Sequence, residues 1–346
     1  MINEEAIKLS LRKVIDQDTG KDVVTLGMVS SIVIKEGHIG FVLQFLSREH
    51  AVKKANLKVE CENALKAIPD ITRVTVVEAV VGTANQKTSN KISIEGVKNT
   101  IVVVSGKGGV GKSTVALNIA VSLLKLGYRI AIADADIYGP SLPQMLGSQG
   151  LTPQIENKKM LPVERYGLQT MSIGYVIDKN SAVIWRGPMI TKALHNLLLG
   201  TKWQDVEYLI IDTPPGTGDV HLSLAEKFNL TGAVIVSTPQ ELALIDAKKA
   251  FDMLKKLNVS IIGIVENMSY FSYQGSQIHI FGESGAEKMA KELNIKFLGK
   301  IPIDQQICEV SDSGNPFLLS KTLMKVYNDI TEQILVKDQR GFLSFN

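Results

Sequence analysis

Residues 101–114 read IVVVSGKGGVGKST, and the rest of the chain is interpreted outward from this stretch. Its first five residues, 101–105, have strand character, and the residues after the glycines follow a helical pattern. Residues 106–113 match G-x-x-x-x-G-K-[ST]. Glycine lets a backbone approach a ligand without a Cβ clash, and the N–H groups that open a helix bind phosphate oxygens. The stretch therefore predicts a phosphate-binding loop.

Two side chains of this loop have predicted roles in ATP binding. Lys112 supplies a cation to the β- and γ-phosphates, and the Ser113 hydroxyl holds Mg²⁺. The alternative is a glycine-rich turn without a ligand, which the flanking strand and helix patterns disfavour. The predicted nucleotide-binding residues of the loop are Gly106, Lys107, Gly108, Gly109, Val110, Gly111, Lys112, Ser113 and Thr114.

Lys107 is a second lysine within the loop, so the pattern becomes K-G-G-x-G-K-[ST]. Its side chain is expected to project away from the phosphates that its own loop binds, which makes the site of a partner subunit a natural place for it to act. In this feature the chain resembles the dimerising ATPases that include MinD, ParA and the nitrogenase iron protein. The resemblance implies a homodimer in which Lys107 acts as a catalytic residue across the subunit boundary, together with Lys112 in its own site.

Composition limits the remaining possibilities. A chain of 346 residues, 45% hydrophobic and 21% charged, is long enough for two domains with ordinary cores. A net charge of +3 is too small to indicate a nucleic acid or a membrane as partner, and we expect neither. We expect no leader peptide and no membrane span. The two cysteines, Cys61 and Cys308, exclude a disulfide framework and favour a reducing cytoplasm.

Residues 1–82 are predicted to form a small α+β domain, and the polar residues 83–98 are predicted to form a linker. Residues 11–32, LRKVIDQDTGKDVVTLGMVSSI, resemble the start of the small domain of iron–sulfur assembly factors, which often carry Cys-Pro after the second strand. Glu49 and His50 lie near that position here, either as ligands or as a solvated helix start, and we expect the latter. The predicted elements are helices 4–15 and 52–68 and strands 28–35, 38–46 and 71–81.

Strand patterns alternate with helical patterns over residues 99–346. This alternation predicts an α/β fold with a mostly parallel, doubly wound P-loop NTPase sheet, preceded by the small α+β domain. Ligands of such sheets bind at the carboxyl ends of the strands. Strands are predicted at 101–105, 129–133, 208–211, 233–237, 261–265 and 296–299, and helices at 113–126, 191–199, 242–257, 285–293 and 320–336.

Three aspartates follow predicted strands and so lie at that end of the sheet. Asp134 and Asp136 occur in ADADIYGPS, and Asp212 ends LIID. Because phosphoryl transfer needs charge and positioning, we assign Asp136 to orienting the attacking water and Asp134 to the P-loop or the metal shell, with the reverse assignment open. The alternative is that both acids only cap a loop. Asp212 stands in the Walker B position, from which a carboxylate reaches Mg²⁺ directly or through water.

The loop after Asp212 reads TPPGTGD over residues 213–219. Its prolines restrict the backbone and its glycines permit sharp turns, and we expect the Gly216 N–H to sense the γ-phosphate. ATP would order such a loop and hydrolysis would release it. Asn267 offers a donor and an acceptor for the edge of adenine, and Pro302 lies in a segment expected to supply backbone to the same base.

Further motifs give a closer resemblance. SGKGGVGKST, IADADIYGPS, IIDTPPGTGD, GIVENMSYF and LGKIPID resemble the Mrp family of P-loop ATPases, over residues 5–336. This resemblance implies ATP hydrolysis by a homodimer, transfer of iron–sulfur clusters to apoproteins, and apoprotein clients or assembly factors as partners. Cluster-carrying members have C-x-x-C after N-M-S-Y-F, whereas residues 271–279 read FSYQGSQIH here and contain no cysteine. The candidate ligands are then Cys61, Cys308, His279 and His50.

Several interpretations of function stay open at this point. In the first, which we expect on resemblance alone, the chain serves iron–sulfur assembly and binds clusters weakly, by other ligands or through a partner. In the second it is an ATP-driven dimeric switch with another cargo. A spatial-positioning ATPase needs a basic face or a membrane helix, whereas the pattern at 320–336 has a mixed polar face. A scaffold with a dead nucleotide site conflicts with the presence of Lys107, Lys112, Ser113, Asp136 and Asp212.

Overall fold

The chain divides into two compact units, Met1–Asn90 and Lys91–Asn346. The second unit includes the last part of the predicted linker, because the Ile92 N–H donates to Lys227 O at 2.7 Å and Ile94 is buried. The predicted linker therefore extends too far towards the C-terminus, and residues 83–90 lie outside the described part of the chain. The computed structural model describes residues 4–17, 19–35, 37–45, 54–69, 71–80, 91–176 and 187–341.

The first unit has the predicted order helix, strand, strand, helix, strand. Its elements are α1 Glu4–Leu11, β1 Val29–Lys35, β2 His38–Phe45, α2 Ala55–Lys66 and β3 Arg73–Val80. β2 lies in the middle of the sheet, antiparallel to β1 and parallel to β3. Every second residue of β2 is buried, and these side chains share one core with Ile7 of α1 and Leu65 of α2. The period-two pattern of β2 thus places one face of the sheet against the helices.

A buried ion pair fixes the acidic turn of the first unit. Lys54 Nζ lies 2.6 and 2.7 Å from the two carboxylate oxygens of Asp16. Thr19 Oγ1 donates to the same carboxylate at 3.0 Å, and the Gly20 N–H donates to Asp16 O at 2.8 Å. Removing one partner of such a pair costs about 3–5 kcal/mol, because a buried charge is left uncompensated. Asp16 therefore has a structural role in this turn.

The second unit is organised around one large sheet. Over the described residues it contains twelve strands, of which eight belong to this sheet. The strands are β4 Val97–Val104, β5 Ile130–Asp134, β6 Ile155–Glu156, β7 Lys159–Met160, β8 Val163–Arg165, β9 Leu168–Ser172, β10 Val206–Asp212, β11 Gly232–Ser237, β12 Ile261–Glu266, β13 Phe271–Tyr273, β14 Ser276–Ile278 and β15 Phe297–Lys300.

The large sheet has the strand order β15-β12-β11-β4-β10-β5-β9-β8. Neighbouring strands are parallel except for the antiparallel pair of β8 and β9. In the register of β10, Asp212 is paired with Val103 of β4 on one side and with Asp134 of β5 on the other. The ends of these three strands therefore bring the phosphate loop and two of the predicted acidic residues to one edge, as the sequence predicted.

Helices cover both faces of this sheet, which confirms the mixed α/β, doubly wound fold. They are α3 Lys112–Lys125, α4 Leu142–Met145, α5 Gly187–Leu199, α6 Asp219–Lys227, α7 Glu241–Lys256, α8 Gly285–Leu293, α9 Gln305–Ser313 and α10 Lys321–Gly341. Leu117 of α3 and Tyr327 of α10 belong to one buried layer, and Leu194 of α5 and Leu224 of α6 belong to the other. Within the described residues, no helix is both long and apolar enough to cross a bilayer.

Several short elements of the second unit were not predicted. β9 is an example, because it reads LQTMS and lacks the apolar run of a central strand. Its buried hydroxyls are nevertheless satisfied: Thr170 Oγ1 donates to Val163 O at 2.6 Å and Ser172 Oγ donates to Asp134 Oδ2 at 3.0 Å. The unpredicted elements are β6, β7, β8, β9, β13, β14, α4, α6 and α9.

Candidate functional site

The phosphate loop joins the carboxyl end of β4 to the first turn of α3. Gly109 and Gly111 have φ values of +82° and +80°, which residues with a Cβ rarely adopt. Gly111 is also the N-cap of α3, and a Cβ on it would clash with the Asn267 amide nitrogen. The loop borders a cavity of about 250 Å³. The predicted site residues that line this cavity are Lys107, Gly108, Gly109, Val110, Gly111, Lys112, Ser113, Thr114 and Asp136.

Gly106 has a packing role at the start of the loop. A Cβ built on Gly106 would clash with the backbone carbonyl of Asp246 in α7. A Cβ on Gly108 would meet Pro215 Cγ at 3.9 Å, which is an ordinary contact. The first glycine of the motif is therefore required here by the close approach of α7, independently of any ligand.

Lys112 and Asp212 form a buried ion pair beside the loop. Their side chains are 6% and 2% exposed, and the Lys112 ammonium also lies 3.2 Å from Ser113 Oγ. Burial raises the pKa of the Asp212 carboxyl, and contact with the Lys112 ammonium opposes this rise without cancelling it. The structure thus brings together the predicted phosphate lysine, the predicted metal hydroxyl and the Walker B aspartate.

The oxygen atoms of Asp212 and Ser113 are suitable ligands for Mg²⁺. Lys112 contacts Asp212 Oδ1, whereas the buried Asp212 Oδ2 has no hydrogen-bond partner among the described residues. Buried carboxylate oxygens are ordinarily paired, so an orphaned one beside a hydroxyl indicates a ligand position. Mg²⁺ prefers hard oxygen ligands and takes one or two carboxylates together with phosphate oxygens. Asp212 and Ser113 therefore fit the predicted metal.

Asp134 makes different contacts from those predicted. Its carboxylate accepts hydrogen bonds from the Asp136 N–H at 3.1 Å, the Leu142 N–H at 3.1 Å and Ser172 Oγ at 3.0 Å. None of these donors belongs to the phosphate loop, so the observed contacts differ from the predicted bond to the P-loop, and the predicted alternative, a place in the metal shell, stays a prediction. Burial first, and the Asp212 charge second, raise the pKa of Asp134 to about 7. Asp134 orders the segment after β5, as the loop-capping alternative predicted for it.

Asp136 faces the cavity from that ordered segment. It is half-buried, and its Oδ1 accepts from the N–H groups of Tyr138 at 3.3 Å and Gly139 at 3.2 Å. It lines the same cavity as Lys112 and Ser113. Of the two acids at the end of β5, the geometry favours Asp136 for contact with a bound phosphate or water, and its role in orienting water stays a prediction.

The predicted γ-phosphate sensor is occupied elsewhere in this structure. The Gly216 N–H donates to Ser105 O at 2.8 Å, and Gly216 has a φ of +93°. In the observed loop conformation this N–H is therefore paired within the protein, and its contact with a γ-phosphate stays a prediction. The left-handed backbone explains why glycine stands there, but its hydrogen-bond partner depends on the fold and not on the local sequence.

Asn267 and Pro302 have structural contacts of their own. Asn267 Nδ2 donates to Val110 O at 2.8 Å, so its amide supports the phosphate loop from beneath. This role differs from the predicted one, and contact of Asn267 with adenine stays a prediction. Pro302 is buried in a segment where the Ile303 N–H donates to Tyr270 O at 2.7 Å. The backbone contact of the Pro302 segment with the base also stays a prediction.

Two groups near the site were missed by the sequence analysis. Thr213 follows Asp212 directly, and its hydroxyl donates to Val103 O at 2.8 Å. His221 of α6 lies with Nε2 3.1 Å from Thr213 Oγ1 and is 4% exposed. No motif signals these residues, because their contacts form only when β4, β10 and α6 pack together.

Lys107 is solvent-exposed at the mouth of the cavity. Within the described part of the chain, its ammonium makes no ion pair, in contrast to Lys112. Its backbone carbonyl accepts from Ser105 Oγ at 3.0 Å, which anchors the main chain while the side chain extends outward. This placement is consistent with the predicted role of Lys107 towards a second subunit.

Each candidate cluster ligand among the described residues has its own local environment. Cys61 is buried in the core of the first unit, and Cys308 is exposed on α9 in the second. His279 Nδ1 lies 3.2 Å from Ser269 O, and His50, like Glu49, lies outside the described residues. Where the structure is described, no group of three or more His, Cys, Asp or Glu side chains could hold a metal ion.

A hairpin stands where the resemblance to cluster-carrying ATPases would imply C-x-x-C. β13 and β14 are antiparallel, and Phe271 pairs with Ile278. The residues of both strands are exposed. The hairpin therefore offers hydroxyl, amide, aromatic and aliphatic groups in place of soft thiolates.

Similarity to known proteins agrees with this site. Residues 96–335 match the family described as NUBPL iron-transfer P-loop NTPase, and residues 4–77 match the family described as iron–sulfur cluster assembly protein. An iron–sulfur cluster carrier protein of Synechocystis sp. is 39% identical over 329 residues, which cover 93% of each chain. The protein of the same name from Escherichia coli is 45% identical over 255 residues, covering 72% of this chain and 69% of its own.

Solved structures show the same fold. A nucleotide-binding protein from Archaeoglobus fulgidus, in complex with ADP, has a TM-score of 0.60 and 35% identity, covering 68% of this chain and 93% of its own. The cell division ATPase MinD of Pyrococcus furiosus has a TM-score of 0.52 and 23% identity, covering 69% and 99%, and this likeness concerns the fold alone. The chain therefore belongs to the family of NUBPL iron-transfer P-loop NTPases, with an N-terminal region of the iron–sulfur cluster assembly family.

Proposed function

We propose that this chain binds and hydrolyses ATP with Mg²⁺ as a homodimer and couples the cycle to carrying iron–sulfur clusters to apoproteins. The observation that carries the nucleotide part is the buried contact of Lys112 with Asp212, which leaves one carboxylate oxygen unpartnered among the described residues. The ion pair lies next to the phosphate loop, whose backbone needs glycine at positions 109 and 111 because both have positive φ values. We also propose that the protein acts in the cytoplasm, as the scarcity of cysteine led us to expect. We propose neither a nucleic acid nor a membrane as its partner.

Each part of the ATP site has a distinct task in this proposal. The loop N–H groups and Lys112 bind the phosphates, and Asp136 orients the water that attacks the γ-phosphorus, releasing ADP and phosphate. Mg²⁺ held by Ser113 and Asp212 would neutralise charge on the phosphate oxygens. Arrival of the phosphates gives the Lys112 ammonium a new partner, which lets Asp212 serve the metal.

The homodimer is proposed because of Lys107. Its exposed ammonium has no ion-pair partner within the described residues and lies beside the cavity that its neighbours line. A cation supplied by a second copy stabilises charge that develops during phosphoryl transfer, as arginine fingers do. Support for this step is the position of Lys107, and the test is the complementation experiment described in the Discussion.

The cargo is inferred from the relatives, which are named iron–sulfur cluster carrier proteins. Of the candidate ligands, the exposed Cys308 is the one accessible thiol within the described residues. Burial raises the pKa of the Cys61 thiol to about 12, which opposes formation of the thiolate that iron requires. We propose that cluster binding in this chain is weak and depends on Cys308 from each copy or on ligands of a client.

A second candidate function is an ATP-driven switch with a cargo other than a cluster. It is favoured by the burial of Cys61 and by the lack of any metal-binding group of three or more side chains in the described residues. Such a protein would keep the nucleotide site and the homodimer. The two candidates therefore differ in cargo only.

Anaerobic incubation with iron and sulfide separates the two candidates. The carrier proposal expects an iron–sulfur chromophore after desalting, its loss in Cys308→Ala, and its transfer to an apoprotein monitored by absorbance. Cys61→Ala is the matched control, with an unchanged chromophore expected. A protein that turns over ATP but acquires no chromophore in the presence or absence of the apoprotein contradicts the carrier proposal and supports the second candidate.

A further inference from the structure

A histidine outside every predicted motif lies beside the Walker B strand. His221 is the third residue of α6 and is 4% exposed. Its Nε2 lies 3.1 Å from Thr213 Oγ1, and Thr213 is the first residue after β10. The imidazole therefore connects the residue next to Asp212 with the helix that begins beyond the loop 214–218.

The surrounding hydrogen bonds determine the direction of this contact. The Thr213 hydroxyl lies 2.8 Å from Val103 O, which can only accept, so the hydroxyl donates there. The hydroxyl oxygen then accepts from His221, whose proton is assigned to Nε2 by this network. His221 Nδ1 has no hydrogen-bond partner among the described residues. Burial first, and the Lys112 charge second, lower the pKa of His221 to about 4, so the ring is neutral at pH 7.

The segment from Thr213 to His221 is anchored at three points. At its start, the Thr213 N–H and hydroxyl both donate to Val103 O, at 3.3 and 2.8 Å. In its middle, the Gly216 N–H donates to Ser105 O at 2.8 Å. At its end, His221 returns to Thr213 and closes the segment into a ring. If Gly216 turns towards a nucleotide, the middle anchor breaks, and the two outer anchors alone keep the backbone after Asp212 in place.

We propose that His221 is a positioning residue for the metal–nucleotide site: by donating from Nε2 to Thr213, it keeps the Asp212 carboxylate oriented while the loop 214–218 moves. The inference rests on the proposed binding of Mg²⁺ and nucleotide at this site. Asp212 needs such support because its Oδ2 has no partner of its own in the described chain. Groups that orient a metal ligand from behind affect metal affinity without contacting the metal.

The test compares ADP affinity with and without Mg²⁺, by calorimetry on the full chain, in matched variants. His221→Phe keeps the ring volume and removes the donor, whereas His221→Gln keeps an N–H donor of similar reach. Thr213→Val removes the acceptor, and Thr213→Ser keeps it. Because ADP is not hydrolysed, the measurement does not depend on turnover.

The proposal expects that His221→Phe and Thr213→Val each reduce the gain in ADP affinity from Mg²⁺ by about 5-fold to 10-fold, the size of one lost hydrogen bond. ADP affinity in EDTA is expected to stay unchanged, His221→Gln and Thr213→Ser to keep most of the gain, and the double variant to lose no more than either single variant. A purely structural role would instead lower ADP affinity equally with and without Mg²⁺, or give additive losses. Either result overturns the proposal.

Nitrogen NMR of the imidazole gives a second measurement that needs no variant to fold. At pH 7 one protonated nitrogen, Nε2, and one unprotonated nitrogen, Nδ1, are expected for His221, and a proton on Nδ1 would overturn the inference. A wild-type protein that binds Mg²⁺ and ADP without hydrolysing ATP would refute the proposed ATPase activity. The ADP affinities of the variants would still decide the role of His221 in that case. A protein that binds no ADP would refute both.

Discussion

Lys112 and Asp212 form an ion pair that is almost completely withdrawn from solvent, at the junction of the phosphate loop and β10. The pair engages one oxygen of the carboxylate and leaves the other without a hydrogen-bond partner among the described residues. Each charge compensates the other, and in the proposed cycle a phosphate would replace Asp212 as the partner of the lysine. The ion pair therefore keeps the Lys112 ammonium and the Asp212 carboxylate together in a low-dielectric site. In that cycle the ammonium would pass to a phosphate and the carboxylate to Mg²⁺.

We first predict that Lys112→Ala abolishes ATP turnover and lowers the free energy of unfolding by about 3 kcal/mol, because it leaves the Asp212 carboxylate buried and unpaired. Urea denaturation followed by circular dichroism measures the stability, and phosphate release measures turnover. Lys107→Ala is the matched control from the same loop, and because its side chain is exposed its stability is expected to stay within about 0.5 kcal/mol of wild type. Equal losses of stability in the two variants would contradict the assigned ion pair.

We next predict that Lys107→Ala binds ATP normally but hydrolyses it up to about 10³-fold more slowly, by analogy with a charge supplied from a second subunit. Calorimetry measures ATP binding, and steady-state phosphate release measures the rate. An unchanged rate in Lys107→Ala would show that this lysine has no catalytic role across the interface.

Mixing the two lysine variants tests the same role more directly. In a mixed dimer, the Lys107→Ala copy keeps an intact phosphate loop lysine, and the Lys112→Ala copy donates its Lys107 to that site. We predict that the mixture turns over ATP faster than the sum of the residual rate of Lys107→Ala and the abolished rate of Lys112→Ala, each measured alone. A mixture that shows no such excess rate while gel filtration shows mixed dimers would contradict the proposed exchange of lysines.

The glycines of the loop give a third prediction, because they are required for different reasons. Gly106→Ala forces a Cβ into the Asp246 backbone, and we expect a loss of stability of about 1–3 kcal/mol from overpacking. Gly108→Ala meets Pro215 at an ordinary 3.9 Å and is expected to leave the free energy of unfolding within about 0.5 kcal/mol of wild type. Thermal unfolding in the absence of nucleotide checks both, and a stable Gly106→Ala variant would contradict the close packing of the loop against α7.

The sequence was sufficient for the features that depend on contiguous residues. The glycine loop, the apolar strand before it and the aspartate that ends β10 are each readable in a short window, and parallel strands then bring their ends together. The hydrogen-bond partners of individual side chains and N–H groups could not be predicted from such short windows. Asn267 supports Val110 O, Gly216 donates to Ser105 O, and Asp134 accepts from Ser172, and in each case the partner is far away along the chain.

A strand of the large sheet shows a second kind of limit. β9 enters the sheet beside β5 although two of its buried residues are polar, since Thr170 and Ser172 find partners within the fold. Burial of a polar side chain is tolerated when its hydrogen bond is made, and the sequence does not show whether it is made. Only Leu168 and Met171 of this strand are apolar, and two apolar residues in five are too weak a signal to distinguish a strand from a loop.

The two cysteines give the last prediction, because they differ in burial. Burial raises the pKa of Cys61 to about 12, so at pH 8 only about one thiol in 10⁴ is a thiolate, and the side chain is also inaccessible in the folded unit. Cys308 is exposed on α9. We predict that iodoacetamide at pH 8 alkylates Cys308 within minutes and leaves Cys61 unmodified until urea is added, as measured by peptide mass spectrometry. Alkylation of Cys61 in the native protein at a rate near that of Cys308 would show that the first unit opens readily, and Cys61 would then return as a candidate ligand for the cluster.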